Sequence, residues 1–371
     1  MAKRVCVLTC SHKPYDNRIN KEIRSLINLG YEVIFVAPFD ENYKPLEEIK
    51  YIPIKPIGVN VKKDRFSRLM ELLKKALEVN ADIYHFHDPE ILLLALRLKK
   101  GGKKVIYDVH ENYPGILRDT RDRFLGHLLG WFFEKFENFV TKRIDGFVTV
   151  NEELFKRFSK LSIGALVPNY FDTSILRSIK IPEKSYTEKV RFVYSGSIHE
   201  SRAIIEIMKA YKKLREKYDN VSLRLIGPMR DKNILEFIEQ NKLKDFERIH
   251  QLPYEEALFK AAECDVGLAI LKKTSNSKFA SPNKIFEYAA LGLPIITSNI
   301  DYLKEKLKDF KCVLYVEPDD IDDIYSKMEF FVKNKNILQE FQEDCKRIVE
   351  KYNWKICEKN LGELYSRIIN N

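Results

Sequence analysis

Short apolar runs of strand length recur along this chain, and stretches with helical periodicity separate them. "RVCVLTC" (4–10), "EVIFVAP" (32–38), "DIYHFH" (82–87), "KVIYDVH" (104–110) and "GFVTV" (146–150) form a first series. Between the first two, Ile19, Ile23, Leu26 and Ile27 repeat at helical spacing, and Gly30 supplies a left-handed stop. Strands joined through helices must run parallel, because a parallel pair needs a long crossover. The pattern lapses over the polar stretch 173–188. It resumes at "RFVYS" (191–195), "VSLRLI" (221–226), 248–251, "VGLAI" (266–270), 294–297 and 312–316. The expectation is an α/β chain with two doubly wound, Rossmann-like halves, 1–172 and 189–350, joined by a linker at 173–188. Such sheets bind ligands beyond the carboxyl ends of their strands, and two of them place the natural site in the cleft between.

Length and composition agree. At about 150 residues per domain, 371 residues make two. Six cysteines are scattered with no C-x-x-C pair, which fits a reducing cytoplasm better than disulfides or structural zinc. The first apolar run is too short for a secretory signal, and no run approaches the ~18 apolar residues of a spanning helix. The net charge is +10, and residues 1–180 carry 31 Lys+Arg against 23 Asp+Glu, a net of +8. A basic half suits nucleic acid, an anionic membrane or a phosphorylated substrate. No RNA-binding signature or zinc finger is present, so nucleic acid is the weakest of the three. Neither G-x-G-x-x-G nor a P-loop follows a first strand, which weakens a dehydrogenase or NTPase reading. The Asp-x-Asp spacing in "PDDIDD" (318–323) reads as helix capping, not as a metal site.

The most informative segment is "SPNKIFEYAALGLPII" (281–296). Ser281 and Pro282 suit a helix start, with Ser as cap and Pro in the first helical position. The free N–H groups and positive dipole end there favour an anion such as a diphosphate, and Lys284 adds a full charge. Glu287 lies one turn on, able to accept two hydrogen bonds from a ribose diol; the alternative is a surface pair with Lys284. This segment resembles the nucleotide-sugar-binding segment of glycosyltransferase family 4, whose members have the two-domain GT-B fold. "DNRINKEIRSLINLGYEVIFVAP", "YHFHDPEILLLALRLKKGGKKVIYDVHENYP", "IDGFVTVNEEL", "VPNYFD" and "VYSGSIHESRAIIEIMKA" extend the resemblance in order over nearly the whole chain. "YNWKICEKNLGELYSRII" resembles the closing helix, which in this fold crosses back to the first domain; residues 351–371 are assigned to it.

The resemblance implies a retaining glycosyltransferase that uses a nucleotide-sugar donor (UDP-, GDP- or ADP-linked). It assigns Glu287 to the ribose. Gly196, Ser197, Arg202, Ser281, Asn283 and Lys284 join it around the donor, with Arg202 as a bidentate diphosphate clamp. The family often has Arg where this chain has Ser197, and a second Glu where it has Phe279; backbone amides around 280–283 and Ser277 are the substitutes available. His110 lines the cleft near the transferring sugar, and the resemblance makes His110, Arg202 and Lys284 the catalytic set. Asp16, Arg18, His110 and Glu111 fall on the acceptor side, with Asp16 as a helix cap and Arg18 at the cleft edge. His85 and His87 alternate on one strand and share a face, but a metal pair would need a third ligand, and none is evident. No divalent ion is expected, since the helix dipole, Arg202 and Lys284 can meet the diphosphate charge. No carboxylate stands out as a nucleophile, and none is needed if the acceptor attacks from the leaving-group side.

The acceptor is expected to be a glycan or a lipid-linked molecule. Residues 61–79 form a basic amphipathic helix, and 123–143 hold more aromatic and aliphatic residues than one helix stripe requires, Trp131 among them. That helix either packs on the sheet or dips into an anionic inner leaflet, and both hold if one face packs. The expected location is cytoplasmic, peripheral to the membrane, in polysaccharide or glycolipid synthesis. Two other readings stay open. One is a sugar-nucleotide isomerase or hydrolase of the same fold; the other is an inactive homologue acting as a binding partner.

Overall fold

The computed structural model describes residues 2–58, 61–119, 123–182, 189–273 and 281–370. Two compact units divide the chain: Met1–Pro168 with Lys355–Asn371, and Asn169–Trp354. The first holds β1 (Arg4–Leu8), β2 (Glu32–Pro38), β3 (Ile49–Ile54), β4 (Ile83–Phe86), β5 (Lys104–Val109), β6 (Gly146–Thr149) and β7 (Gly164–Leu166). Their spatial order is β3-β2-β1-β4-β5-β6-β7 and every pairing is parallel. The order reverses between β1 and β4, which leaves an opening at their carboxyl ends.

Both faces of a parallel sheet must be covered, which explains the near-continuous apolar runs. On one face Leu8, Phe86, Tyr107 and Phe147 pack with Leu72, Leu92, Leu98 and Val140 from the helices Val61–Val79, Leu92–Lys100 and Arg123–Thr141. The other face receives the helix Asn17–Asn28 and the closing helix Trp354–Asn370, whose Tyr365 meets His85. The closing helix thus folds back onto the first unit, as the resemblance implied. The sequence pattern omits two strands, β3 and β7, and both are edge strands. Lys50 and Pro53 interrupt the run of β3, and Pro53 sits there because an edge position tolerates a missing N–H.

The second unit is a six-stranded parallel sheet ordered β10-β9-β8-β11-β12-β13. Its strands are β8 (Val190–Ser195), β9 (Val221–Ile226), β10 (Phe246–Ile249), β11 (Val266–Ala269), β12 (Ile295–Ser298) and β13 (Val313–Val316). The reversal here lies between β8 and β11. Of the stretch 173–188, Thr173–Arg177 is a short 3₁₀ turn capped by Asp172, and 183–188 lie outside the described residues. Asp320 of "PDDIDD" accepts from the N–H groups of Asp322 and Asp323, so that stretch caps a helix.

Candidate active site

In the first unit the register builds the site. Phe86 of β4 stands beside Tyr107 of β5, both facing the apolar layer. One residue on, His87 and Asp108 therefore lie side by side on the opposite face. His85 stacks on His87 at 5.0 Å between ring centroids, because the two differ by one pleat. His110 follows β5 and returns to the same side. Its Nε2 lies 3.2 Å from Asp108 Oδ2 and 3.0 Å from His87 Nδ1, and His87 Nδ1 is itself 3.2 Å from that oxygen.

Arg18 contradicts its expected place. It does not line an open edge: it is 5 % exposed and donates from Nε and Nη2 to both oxygens of Asp108 at 3.0–3.1 Å. Nη1 donates to Val167 O at 2.6 Å, and Glu22 Oε1 is 2.9 Å from Nη2. The physical reason is the buried Asp108, whose charge needs a partner in a place water does not reach. Burial works against the ionised form of Asp108, but Arg18 and then His110 prevail and hold its carboxyl well below the usual range. Burial pushes Glu22 up instead, with Asp108 adding to it against the pull of Arg18. Burial also lowers His85 and His87, more than Asp108 restores.

The third and fourth ligands that a metal at His85 and His87 would need do exist: Glu22 and Asp108 offer oxygens within 4.8 Å. A cation already fills that place, however, in the Arg18 guanidinium, and a second would have to displace it.

Asp16 caps its helix as expected, accepting from Arg18 N at 3.0 Å and Ile19 N at 3.2 Å. Glu111 is exposed beside His110. The sequence reading passed over His12 and Asp88. His12 sits on the turn after β1, with Nδ1 3.6 Å from Asp16 and Nε2 3.7 Å from Asp88, and its ring is 4.9 Å from that of His110. Burial opposes its charge, but Asp16, Asp88 and Asp108 outweigh it and raise its pKa. Asp88 is buried and accepts from Cys10 N and the Thr9 hydroxyl, which fixes the turn that carries His12. The signal for this was "HDP" after β4 matched by "TCSH" after β1, which only the strand order brings together.

In the second unit, the helix Asn283–Ala290 begins one residue later than the sequence implies. Pro282 occupies the cap position, and among the described residues no side chain caps the helix. Ser281 is too far back for its hydroxyl to reach the first-turn N–H groups, and its Oγ is enclosed without a partner among the described residues. Among the described residues the first-turn N–H groups are thus left without a side-chain cap, and such groups favour an anion. Asn283 is exposed there, and Lys284 reaches back over the Tyr194 ring, 5.1 Å from its centroid. Burial pushes the Lys284 ammonium down to about 8, against the pull of Glu287 and with Arg202 adding to the shift. Lys284, Arg202 and Glu287 are therefore close enough for their charges to act on one another.

Gly196 sits against this lysine. Its φ is +134°, and a Cβ there would lie 2.5 Å from Lys284 Nζ. The turn Ser195–Ser197 is braced by Tyr288 OH, which accepts from Ser195 N at 2.9 Å, and Tyr194 OH, which donates to Ser197 O at 2.7 Å. Ser197 is exposed, and Arg202 is held by Nε on His199 Nε2 at 3.2 Å. Glu287 accepts from Tyr254 OH at 2.9 Å; among the described residues no ion pair joins it to Lys284. Ser277, Phe279 and Ala280 lie outside the described residues.

Two parallel doubly wound units, one with a cationic open helix start, are the architecture of a GT-B glycosyltransferase. The glycosyltransferase family 4 model matches residues 18–174, and the glycosyl transferases group 1 model matches residues 177–351. The chain belongs to this glycosyltransferase family. No curated protein sequence matches it. Among solved structures it is similar to sucrose-phosphate synthase from Thermosynechococcus elongatus (TM-score 0.72, 13 % identity, 99 % of each chain). It is also similar to the E. coli trehalose-6-phosphate protein bound with UDP-2-fluoro glucose (TM-score 0.69, 13 % identity, 99 % of this chain and 98 % of that one). A third is the UDP-forming α,α-trehalose-phosphate synthase from Burkholderia xenovorans in complex with glucose-6-phosphate (TM-score 0.70, 10 % identity, 98 % and 99 %). At these identities the likeness establishes the fold.

Proposed function

We propose that the chain is a retaining glycosyltransferase that moves a sugar from a nucleotide-sugar donor to a glycan or lipid-linked acceptor at an anionic membrane surface. The observation that carries the donor assignment is the uncapped start of the Asn283 helix, with Lys284 and Arg202 beside it and Glu287 one turn on. The diphosphate takes the helix N–H groups and the two cations, and the ribose diol takes Glu287. In the reaction the bond from the sugar's anomeric carbon to the phosphate oxygen breaks, and its electron pair stays on that oxygen. The acceptor oxygen bonds the same carbon from the same face, and its proton passes to the departing phosphate oxygen. Arg202, Lys284 and the helix dipole stabilise the charge as it develops, without a divalent ion. His110 orients the transferring sugar.

One fold neighbour binds UDP-2-fluoro glucose, which supports a UDP-sugar as the first donor to try. Thermal shift across UDP-, GDP- and ADP-sugars tests the assignment, because a ligand at 100 times its Kd stabilises by about 2.7 kcal/mol. No stabilisation by any of the three overturns it. Donor turnover with and without a lipid extract then separates transfer from hydrolysis.

The membrane part rests on one helical layer. No described helix is long and apolar enough to cross a bilayer. Yet the helices Val61–Val79, Leu92–Lys100 and Arg123–Thr141, which cover one face of the first sheet, present Phe66, Leu93, Phe124, Trp131 and Phe132 outward, Phe124 at 82 % exposure. Val140 and Glu137 of the Arg123–Thr141 helix are buried, so one of its faces packs while the other is exposed. Exposed basic side chains, Arg65 and Lys74 among them, share this layer, and each contributes about 1 kcal/mol near an anionic surface. Co-sedimentation should need anionic lipid, fall at high salt and weaken in Trp131→Ala. Indifference to anionic vesicles at low salt would favour a soluble acceptor.

A further inference from the structure

We infer that His199 is the positioning residue for Arg202: as a neutral ring with its proton on Nδ1, it holds the guanidinium by Nε and leaves both Nη groups for the donor diphosphate. This rests on the reading of Arg202 as a diphosphate clamp. Two contacts carry the inference. Arg202 Nε donates to His199 Nε2 at 3.2 Å, and His199 Nδ1 lies 2.8 Å from Ser201 Oγ. An arginine has donors only, so His199 Nε2 is the acceptor and carries no proton. The one proton of a neutral ring is then on Nδ1, where it is donated to Ser201 Oγ.

The backbone fixes where this ring stands. His199 has extended backbone and opens the short 3₁₀ turn Glu200–Arg202, a few residues after β8. Just before it, Ile198 N donates to Pro228 O at 2.9 Å; just after it, Glu200 N donates to Asp231 Oδ2 at 2.8 Å. Both acceptors follow β9, so the end of the neighbouring strand grips the turn on either side of the histidine. Arg202 N returns to His199 O at 2.9 Å, and Lys272 N, beyond β11, donates to Ser201 O at 2.9 Å. Imidazole, hydroxyl and guanidinium therefore ride on one braced turn.

Among the described residues no carboxylate lies within ion-pair distance of Arg202, and neither of its Nη groups makes a hydrogen bond. A carboxylate in the place of His199 would hold the arginine but cancel its charge before a phosphate arrived. A neutral ring orients the guanidinium and leaves the charge intact, with the two Nη groups free for a phosphate. The surroundings keep the ring neutral: burial lowers its pKa, Arg202 and Lys284 add to the shift, and Asp231 opposes them. Glu200, next in the chain, is turned to Asn233 Nδ2 at 2.6 Å. The charge of Arg202 also acts on Lys284 and on Tyr194, over whose ring Lys284 lies, which sets the held guanidinium beside the start of the Asn283–Ala290 helix. Protonation of His199 would remove the accepting lone pair and put a like charge against Arg202. The clamp therefore holds above the lowered pKa and lets go as pH falls through it.

The test pairs ¹⁵N-histidine NMR on the full chain with binding of UDP-glucose across pH. His199 is assigned by loss of its signals in His199→Gln, and the expected wild-type result at neutral pH is a neutral ring protonated on Nδ1. The diphosphate of UDP-glucose is esterified at both ends and does not titrate near neutrality, so wild-type affinity should fall as pH drops below about 6.5 through loss of the clamp. His199→Ala leaves Arg202 Nε without its partner and should bind about tenfold more weakly at neutral pH. Glutamine carries an amide oxygen near the position of Nε2 and does not titrate, so His199→Gln should restore neutral-pH affinity and lack the acid limb. A role in folding alone would not move that limb. A wild-type His199 protonated on Nε2 overturns the inference, as does a folded His199→Ala with unchanged affinity or an undiminished acid limb in His199→Gln. The two failures are distinguishable. Binding with the Nε2 tautomer sinks this inference alone; the Nδ1 tautomer with no binding of any nucleotide-sugar sinks the proposed function and, with it, the diphosphate role given to Arg202.

Discussion

Removing the Glu287 carboxylate should separate ribose recognition from the rest of the donor contacts. Glu287 is half-buried, one turn from an open helix start, and its recorded partner is Tyr254 OH at 2.9 Å on Oε1. That leaves acceptor capacity on both oxygens for a diol. A hydrogen bond to a charged group contributes about 1.5–3 kcal/mol, which at about 1.36 kcal/mol per decade is roughly 10- to 150-fold. The contact does not change as the anomeric bond breaks. The loss in Glu287→Ala should therefore fall on the donor KM, with kcat nearly unchanged, and the fold should survive. Tyr254→Phe should cost only a few-fold, since it removes one neutral donor and leaves the carboxylate. The decisive assay is a cycle with the donor and its 2′,3′-dideoxy analogue. Wild type should discriminate against the analogue by the full factor, and Glu287→Ala should not discriminate. Wild-type kinetics in Glu287→Ala, or undiminished discrimination in that variant, would refute the ribose assignment.

Lys284 supplies a pH dependence whose sign is fixed. Its ammonium is charged below about 8 and neutral above, so kcat/KM for the donor should fall as pH rises through about 8, and Lys284→Arg should flatten that limb. Gly196→Ala forces a side chain onto a backbone at φ +134° and into Lys284 Nζ; such strain is of order 1–3 kcal/mol, and donor affinity should fall with thermal stability. Activity should persist in EDTA, and rescue of EDTA-treated enzyme by magnesium or manganese would contradict the cationic-clamp reading.

The fold was legible where burial on both faces makes a strand read as an unbroken apolar run. β2 and β9 fall on the residues the pattern marks, and most of the other interior strands shift by a residue or two. β3, interrupted by Lys50 and Pro53, and the three-residue β7 carry no unbroken apolar run, whereas the edge strands β10 and β13 of the second sheet were marked. The helix start at Asn283 was legible for a related reason: "SPNKIFE" is local, and a helix start, a cation and an acid one turn apart need no tertiary information. Even there the reading placed the cap one residue early. A serine before a proline looks like a cap, but the chain turns at the proline, and the serine hydroxyl is left enclosed.

The first unit shows where local reading stops. "DNR", "HFHD" and "YDVH" are separated by tens of residues, and each has an ordinary local explanation as cap, strand face or strand end. Arg18 looks like a solvated first-turn arginine until Asp108 is known to lie beneath it. Asp108 in turn looks like an implausible charge inside an apolar strand, and that oddity was the available clue. A carboxylate at a buried strand position costs several kcal/mol unless a cation meets it, so a partner must exist somewhere in the fold. Only the order β1-β4-β5 names it, by bringing the start of the Asn17–Asn28 helix over β5. Once Arg18 is spent on Asp108, it is removed from the set of residues that can greet a substrate phosphate. Two imidazoles, His12 and His110, stand at these strand ends, each within ion-pair distance of a carboxylate. In the function proposed above, this end orients hydroxyls and the donor phosphates fall to Lys284 and Arg202 of the other unit.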